Sequence, residues 1–166
     1  MSLIHKDLTN EHYVAWTRFL RETDDWNEQQ IAAYELSELK RITEFAYSNT
    51  SGYREVFDAS GFVPAELNSL ADFRKIPFLT KEMIRDRLPE FSAEVADRFY
   101  ITTGGSTGVP TGMYRDPVSF AKELASKAHQ YYRIGWREGD PQIVFRGLQI
   151  DNPDSIEFSE EFNELR

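Results

Sequence analysis

Residues 99–112 read Phe-Tyr-Ile-Thr-Thr-Gly-Gly-Ser-Thr-Gly-Val-Pro-Thr-Gly, a short apolar run that opens into four glycines and five hydroxyl residues. Glycine lets a backbone approach a ligand closely. Successive backbone N–H groups in such a turn can converge on one anion, and Ser and Thr hydroxyls add further donors. The chemistry this suits is the grip on a phosphate chain, with Thr102, Thr103, Gly104, Gly105, Ser106, Thr107 and Gly108 as the candidate binding residues. The alternative is a plain turn in which the same hydroxyls cap their own backbone. Two familiar phosphate loops do not fit. A P-loop requires Lys followed by Ser or Thr after its last glycine, whereas Val109 and Pro110 follow Gly108. A dinucleotide fingerprint requires a helix opening from the loop and a different glycine spacing.

The elements that must hold this loop follow from the pattern on either side. Phe99 to Thr102 reads as a strand leading in, and Gly112 to Arg115 as a second strand leading out. Asp116-Pro117 then predicts a helix start, with Asp as N-cap and Pro in the first helical position. Ala121, Leu124, Ala128 and Tyr131 line one face of that helix, and Gly135 stops it. Gln142 to Gly147 reads as a buried strand. Strands on both sides of a helix predict a crossover unit.

Upstream the chain is helical. Tyr13, Trp16, Phe19 and Leu20 share a face of a helix over 8–22. Asp25 with Glu28 resembles a capping box that opens a second helix to about Ser48, with Ile31, Ala32, Leu36, Leu39, Ile42, Phe45 and Ala46 as its apolar set. A short helix over 53–59 stops at Gly61, Ser69 caps 70–75, and Thr80 caps a helix from Lys81 to Leu88. The fold class expected is α/β: a helical N-terminal half followed by the beginning of a mixed sheet with a crossover helix. Residues 1–98 form the mainly helical segment and 99–166 a partial α/β nucleotide-binding segment, together one truncated domain.

Composition narrows the partners. The chain has 166 residues, 40% of them hydrophobic and 14% aromatic, enough for a core. A formal charge of −9 argues against nucleic acid, so any anion site is local and built from backbone and hydroxyl groups. No cysteine is present, which excludes a disulfide framework and thiolate metal sites and fits a cytoplasmic protein. The first residues, Met-Ser-Leu-Ile-His-Lys-Asp-Leu, contain no long apolar core, so no signal peptide is expected, and no apolar run is long enough for a membrane span. Lys81 and Arg85 share a helix face that is solvated or faces an anion. His5, His12 and His129 pair with no nucleophile by spacing, so their default role is structural. No metal site is expected, and catalytic residues are not assignable.

The run Thr103 to Thr111 resembles the phosphate-binding loop of the adenylate-forming enzymes, the acyl-CoA synthetase superfamily. The usual pattern there is Ser-Gly-Thr-Thr-Gly-x-Pro-Lys. Gly104 stands at its first Ser, Ser106 at its first Thr and Thr111 at its Lys, which is similar to the phenylacetate–CoA ligase branch. The upstream stretch Pro77-Phe78-Leu79-Thr80-Lys81 to Arg85 also resembles that branch, and Thr-Thr-Gly-Gly-Ser-Thr-Gly followed by Tyr114-Arg115-Asp116 looks most like its capsular polysaccharide biosynthesis subgroup. The resemblance covers residue 30 to the end. It implies an incomplete N-terminal domain of such an enzyme, because the magnesium-binding Glu motif, the ribose-binding Asp and the catalytic Lys of the family are not found in this sequence. It further implies ATP, Mg and CoA in the parent enzymes, a small-molecule carboxylic acid as substrate, and contacts from Thr102, Thr103, Ser106 and Thr107 to the β- and γ-phosphates. This chain alone is then expected to adenylate negligibly. The competing expectation is a non-catalytic binding or assembly module that becomes a homo-oligomer through an exposed sheet edge, or complements a partner chain. A plain helical scaffold with an incidental glycine turn is the third.

Overall fold

Helix caps and turn residues divide the chain much as its pattern predicts. The computed structural model describes residues 10–103, 110–137 and 140–143, with 158–159 and 164–165. The helices are α1 (Glu11–Thr23), α2 (Glu28–Asn49), α3 (Ser51–Ser60), α4 (Lys81–Asp86) and α5 (Pro117–Arg133). The strands are β1 (Phe99–Thr102), β2 (Gly112–Arg115), β3 (Gln142–Ile143), β4 (Phe158–Ser159) and β5 (Glu164–Leu165). The described chain is thus mostly helical with small sheets, and it divides into two units: Met1–Asp24 with Val118–Arg166, and Asp25–Pro117.

In the first unit α1 buries Tyr13 against Ala121, Ala125 and Ala128 of α5, with Trp16, Leu124 and Trp136 packed around them. Alanines on the α5 face leave room for the large rings of α1. Trp16 donates its indole N–H to Ser126 Oγ at 3.0 Å, and the Lys122 ammonium lies 4.2 Å from the Trp16 ring centre. β3 pairs parallel with β5, and β4 antiparallel with β5.

Among the described residues the expected crossover unit does not form. β2 and β3 flank α5 in sequence but belong to different sheets, β1-β2 and β3-β5-β4. β2 takes its nearest neighbour in sequence, β1, as partner, so α5 joins two sheets instead of bridging one. The rest of the predicted strand, 144–147, lies outside the described residues.

In the second unit α2 opens at Asn27, not Asp25. The Asn27 side chain accepts from Gln30 N–H at 3.0 Å, and the Gln30 side chain accepts from Asn27 N–H at 3.0 Å. Only Thr50 separates α2 from α3. Its hydroxyl donates to the Ala46 carbonyl and accepts from Tyr53 N–H, serving both helix ends. α3 ends at Gly61, whose φ of +70° is the left-handed cap conformation. Phe57, Phe62 and Leu67 form the core, with Leu39, Tyr47, Tyr53 and Ile76 around it. The expected apolar face of α2 is buried only in part: Ile31, Ile42 and Phe45 are exposed, while Thr43 is buried and satisfied by the Leu39 carbonyl at 2.8 Å.

The segment leading into β1 is tied to α3. Arg87 makes a two-pronged pair with Glu55, at 2.7 and 3.0 Å, and also pairs with Glu90. Gly52 donates its N–H to the Glu90 carbonyl at 2.9 Å. A side chain at position 52 would press on the Phe91 ring, 2.9 Å away, so the glycine admits that close approach.

Candidate functional site: the hydroxyl-rich hairpin

β1 and β2 pair antiparallel, the two strands on either side of the glycine-rich segment in sequence. The register sets Phe99 opposite Arg115, Tyr100 opposite Tyr114, Ile101 opposite Met113 and Thr102 opposite Gly112. One further pair closes the neck. Thr103 N–H donates to the Thr111 carbonyl at 3.0 Å, and Thr111 N–H donates to the Thr103 hydroxyl, also at 3.0 Å. Thr111 is buried, so without that hydroxyl its amide would lack a partner. Turn capping and ligand binding are therefore not exclusive at Thr103. Its Oγ1 accepts from the backbone and keeps its own proton to donate.

Thr102 is exposed, and no hydrogen bond to its hydroxyl forms among the described residues. Gly104, Gly105, Ser106, Thr107 and Gly108, the other predicted binding residues, lie outside the described residues. Thr111 is buried at the neck and offers no charge.

The face of the hairpin that carries Thr102 also carries two tyrosines, because residues two apart on a strand share a face. Tyr100 and Tyr114 meet edge to face at 5.7 Å, and the Arg98 guanidinium lies 4.2 Å above the Tyr114 ring. Tyr100 leans along the strand over buried Gly112. A Cβ at position 112 would overlap the Tyr100 hydroxyl and stand 2.6 Å from the nearer ring carbons. The glycine-rich pattern does not point to Tyr100. Its position two before Thr102 on a predicted strand is the signal the sequence offers for it.

Beside β2 lies a cavity of about 380 Å³ lined by Phe45, Leu88, Phe91, Thr111 and Arg115 among others. Its walls are largely apolar, with polar groups at the strand end, within the usual size range of small-molecule sites. Of the two α4 cations, Arg85 is paired with Asp86 at 2.9 Å. His129 contacts Asp24 at 3.1 Å, and His12 lies 3.8 Å from Glu11. Among the described residues no cluster of His, Asp or Glu is arranged to hold a metal ion, and no helix is long and apolar enough to cross a membrane.

No model of a known protein family matches the chain. Relatives do match. A phenylacetate-coenzyme A ligase of Aromatoleum evansii is 37% identical over 89 residues, which is 51% of this chain and 20% of that protein. The phenylacetate-coenzyme A ligase of Escherichia coli strain K12 is 35% identical over 85 residues, 49% of this chain and 20% of its own length. One from Pseudomonas putida is 26% identical over 125 residues, 72% of this chain and 28% of that protein. The matched part spans about a fifth of the length of the first two. The likeness is thus to proteins named phenylacetate-coenzyme A ligase, over about half of this chain for the first two.

Proposed function

We propose that this chain carries the phosphate-gripping segment of an ATP-dependent carboxylate-activating ligase of the adenylate-forming superfamily. The observation that carries the reading is the similarity to phenylacetate-coenzyme A ligases, taken with a hydroxyl-rich segment set on an antiparallel hairpin. In the reaction proposed, a carboxylate oxygen attacks the α-phosphorus of ATP and the bond to the pyrophosphate oxygen breaks. An acyl-adenylate and pyrophosphate result. The sulfur of CoA then takes the acyl group and AMP leaves. The loop's task is electrostatic: donors from Thr102 to Gly108 hold the β- and γ-phosphates while charge gathers on the leaving pyrophosphate. Magnesium, when bound, neutralises part of that charge. The loop's donor set is neutral, and in a chain of charge −9 it suits a metal-complexed nucleotide better than a bare one.

The phenylacetate branch is the nearest reading within the superfamily. The form Thr-Thr-Gly-Gly-Ser-Thr-Gly with Tyr114-Arg115-Asp116 supports the capsular polysaccharide subgroup. The test is a Mg-ATP binding isotherm for the chain beside a Ser106→Ala, Thr107→Ala variant. Loss of binding by tenfold or more in the variant supports the reading, since hydrogen bonds to charged groups contribute about 1.5–3 kcal/mol each. Equal binding by both forms, or none by either, refutes it.

A second reading, a binding or assembly module, has its own observation. Phe78 is 97% exposed, within the Pro77-Phe78-Leu79 stretch, and both outer edges of the β1-β2 pair lack a strand neighbour among the described residues. Sedimentation across a concentration series tests it: self-association that Phe78→Asp abolishes supports the module, and a monomer throughout counts against it.

A further inference from the structure

We infer that Tyr100 is a phosphate-binding residue, with its phenol donating to the same anion as the Thr102 hydroxyl at the hairpin neck. The inference rests on the proposed phosphate grip and adds to it a residue that the glycine-rich pattern does not contain.

Three observations carry it. The first is placement. Thr102 pairs with Gly112, and the Tyr100 ring extends along the same face until its hydroxyl stands over Gly112, beside the Thr102 position. The second is the glycine. Position 112 is buried and any side chain there would collide with the phenol, so Gly112 is the residue that lets the hydroxyl reach the neck. The third is availability. Tyr100 is 56% exposed and its hydroxyl has no hydrogen-bond partner among the described residues. A tyrosine that only covers a strand glycine needs its ring and not its hydroxyl. A phenol at this place offers one more neutral donor to an anion, in a site that otherwise relies on hydroxyls and backbone amides.

The ring and the hydroxyl can be separated. Tyr100→Phe keeps the ring over Gly112 and removes only the donor, so its thermal midpoint should match the parent's. Its affinity for Mg-ATP should fall about tenfold, the loss of one hydrogen bond to a charged group. Gly112→Ala should push the phenol aside and cause a comparable loss. The double variant should then bind no worse than the weaker single one, since both act on one contact. Inorganic triphosphate with magnesium should show the same loss in Tyr100→Phe.

Unchanged Mg-ATP affinity in Tyr100→Phe, with the parent binding normally, overturns the inference and leaves the phosphate grip standing. A loss seen for Mg-ATP but not for triphosphate also overturns it, since the phenol would then serve the nucleoside. No binding by the parent chain refutes the phosphate grip and this inference together.

Discussion

The neck of the hairpin is the place to test whether the hydroxyls hold the loop or only decorate it. Thr103→Val removes one oxygen and keeps a β-branched side chain of similar shape. In the parent, the Thr111 amide donates to that oxygen at 3.0 Å, and Thr111 is 8% exposed. The residue is thus largely out of water while the neck is closed. A buried N–H left without a partner costs about 1–3 kcal/mol. That converts to about a 5- to 150-fold shift in the opening equilibrium. The remaining bond of the pair, Thr103 N–H to the Thr111 carbonyl, loses the restraint of its neighbour. Amide hydrogen exchange at Thr111, followed by NMR, reads the opening directly, because exchange under native conditions tracks the local opening equilibrium. Thr103→Val should exchange faster by that factor, while Thr103→Ser, which keeps the acceptor, should stay near the parent. If all three exchange alike, the Thr103 hydroxyl does not close the neck and the reasoning from its hydrogen bond fails.

Two further outcomes follow from the second unit. Gly61→Ala should lower stability by about 1–2 kcal/mol in urea titration, because φ is +70° there and no atom lies within 4 Å of a new Cβ; the whole cost is then backbone conformation. A neutral result would mean the α3 cap is not left-handed in solution. Acid should weaken the same unit in small part through Glu55 and Asp72, whose ion pairs are exposed to solvent. The Arg87 guanidinium holds the Glu55 carboxyl below its ordinary value, and the Lys75 ammonium, with the Asn68 and Ser69 N–H groups, does the same for Asp72. Both groups bind fewer protons folded than unfolded below about pH 4.5, so their contribution is present above that pH and lost as the pH falls through the folded values. Thermal midpoints of the parent and of Glu55→Gln, Asp72→Asn should therefore converge on acidification; a gap that stays constant from about pH 7 to about pH 3 would contradict the pairing.

Much of the frame was legible because its signals are local. Asn49-Thr50-Ser51-Gly52 marks the break between α2 and α3, and Gly61 marks the end of α3. Ser69 and Thr80 stand at the starts of the segments that follow them, and the short runs on either side of the glycines mark both strands of the hairpin. Where local signals compete, packing decides. Asp25–Glu28 and Asn27–Gln30 both satisfy the capping spacing, and the second is the pair that forms. Trp26, just before the cap, meets Tyr34 edge to face at 5.6 Å. That contact lies beside the cap but is not the N′-to-N4 staple, whose second position is the exposed Ile31. The apolar stripe of α2 misled for a related reason. Periodicity marks a face that can be buried, but of α2 it is Leu39 and Tyr47 that pack on the Phe57 core, while Ile31 and Ile42 stay exposed. Partner choice between strands was beyond reach altogether. Whether β2 joins β1 or β3 depends on contacts across the fold, and α5 reads the same either way.

On the proposed reading, the hairpin divides the roles of plain turn and binding loop between two hydroxyls. One hydroxyl, on Thr103, serves the backbone and keeps the neck shut. Another, on Thr102, is exposed one residue earlier, and alternation sends it to the other face, where the Tyr100 phenol also stands. A turn built only to reverse the chain needs the first and has no use for the second. The exposed pair sits where a strand of alternating character would ordinarily present any polar residue, so polarity alone does not mark it. Gly112 does. A glycine inside a strand weakens it, and this one is buried and set beneath an aromatic ring. Covering the glycine accounts for the ring. The hydroxyl is the part left unexplained by stability, and it is the part that Tyr100→Phe removes.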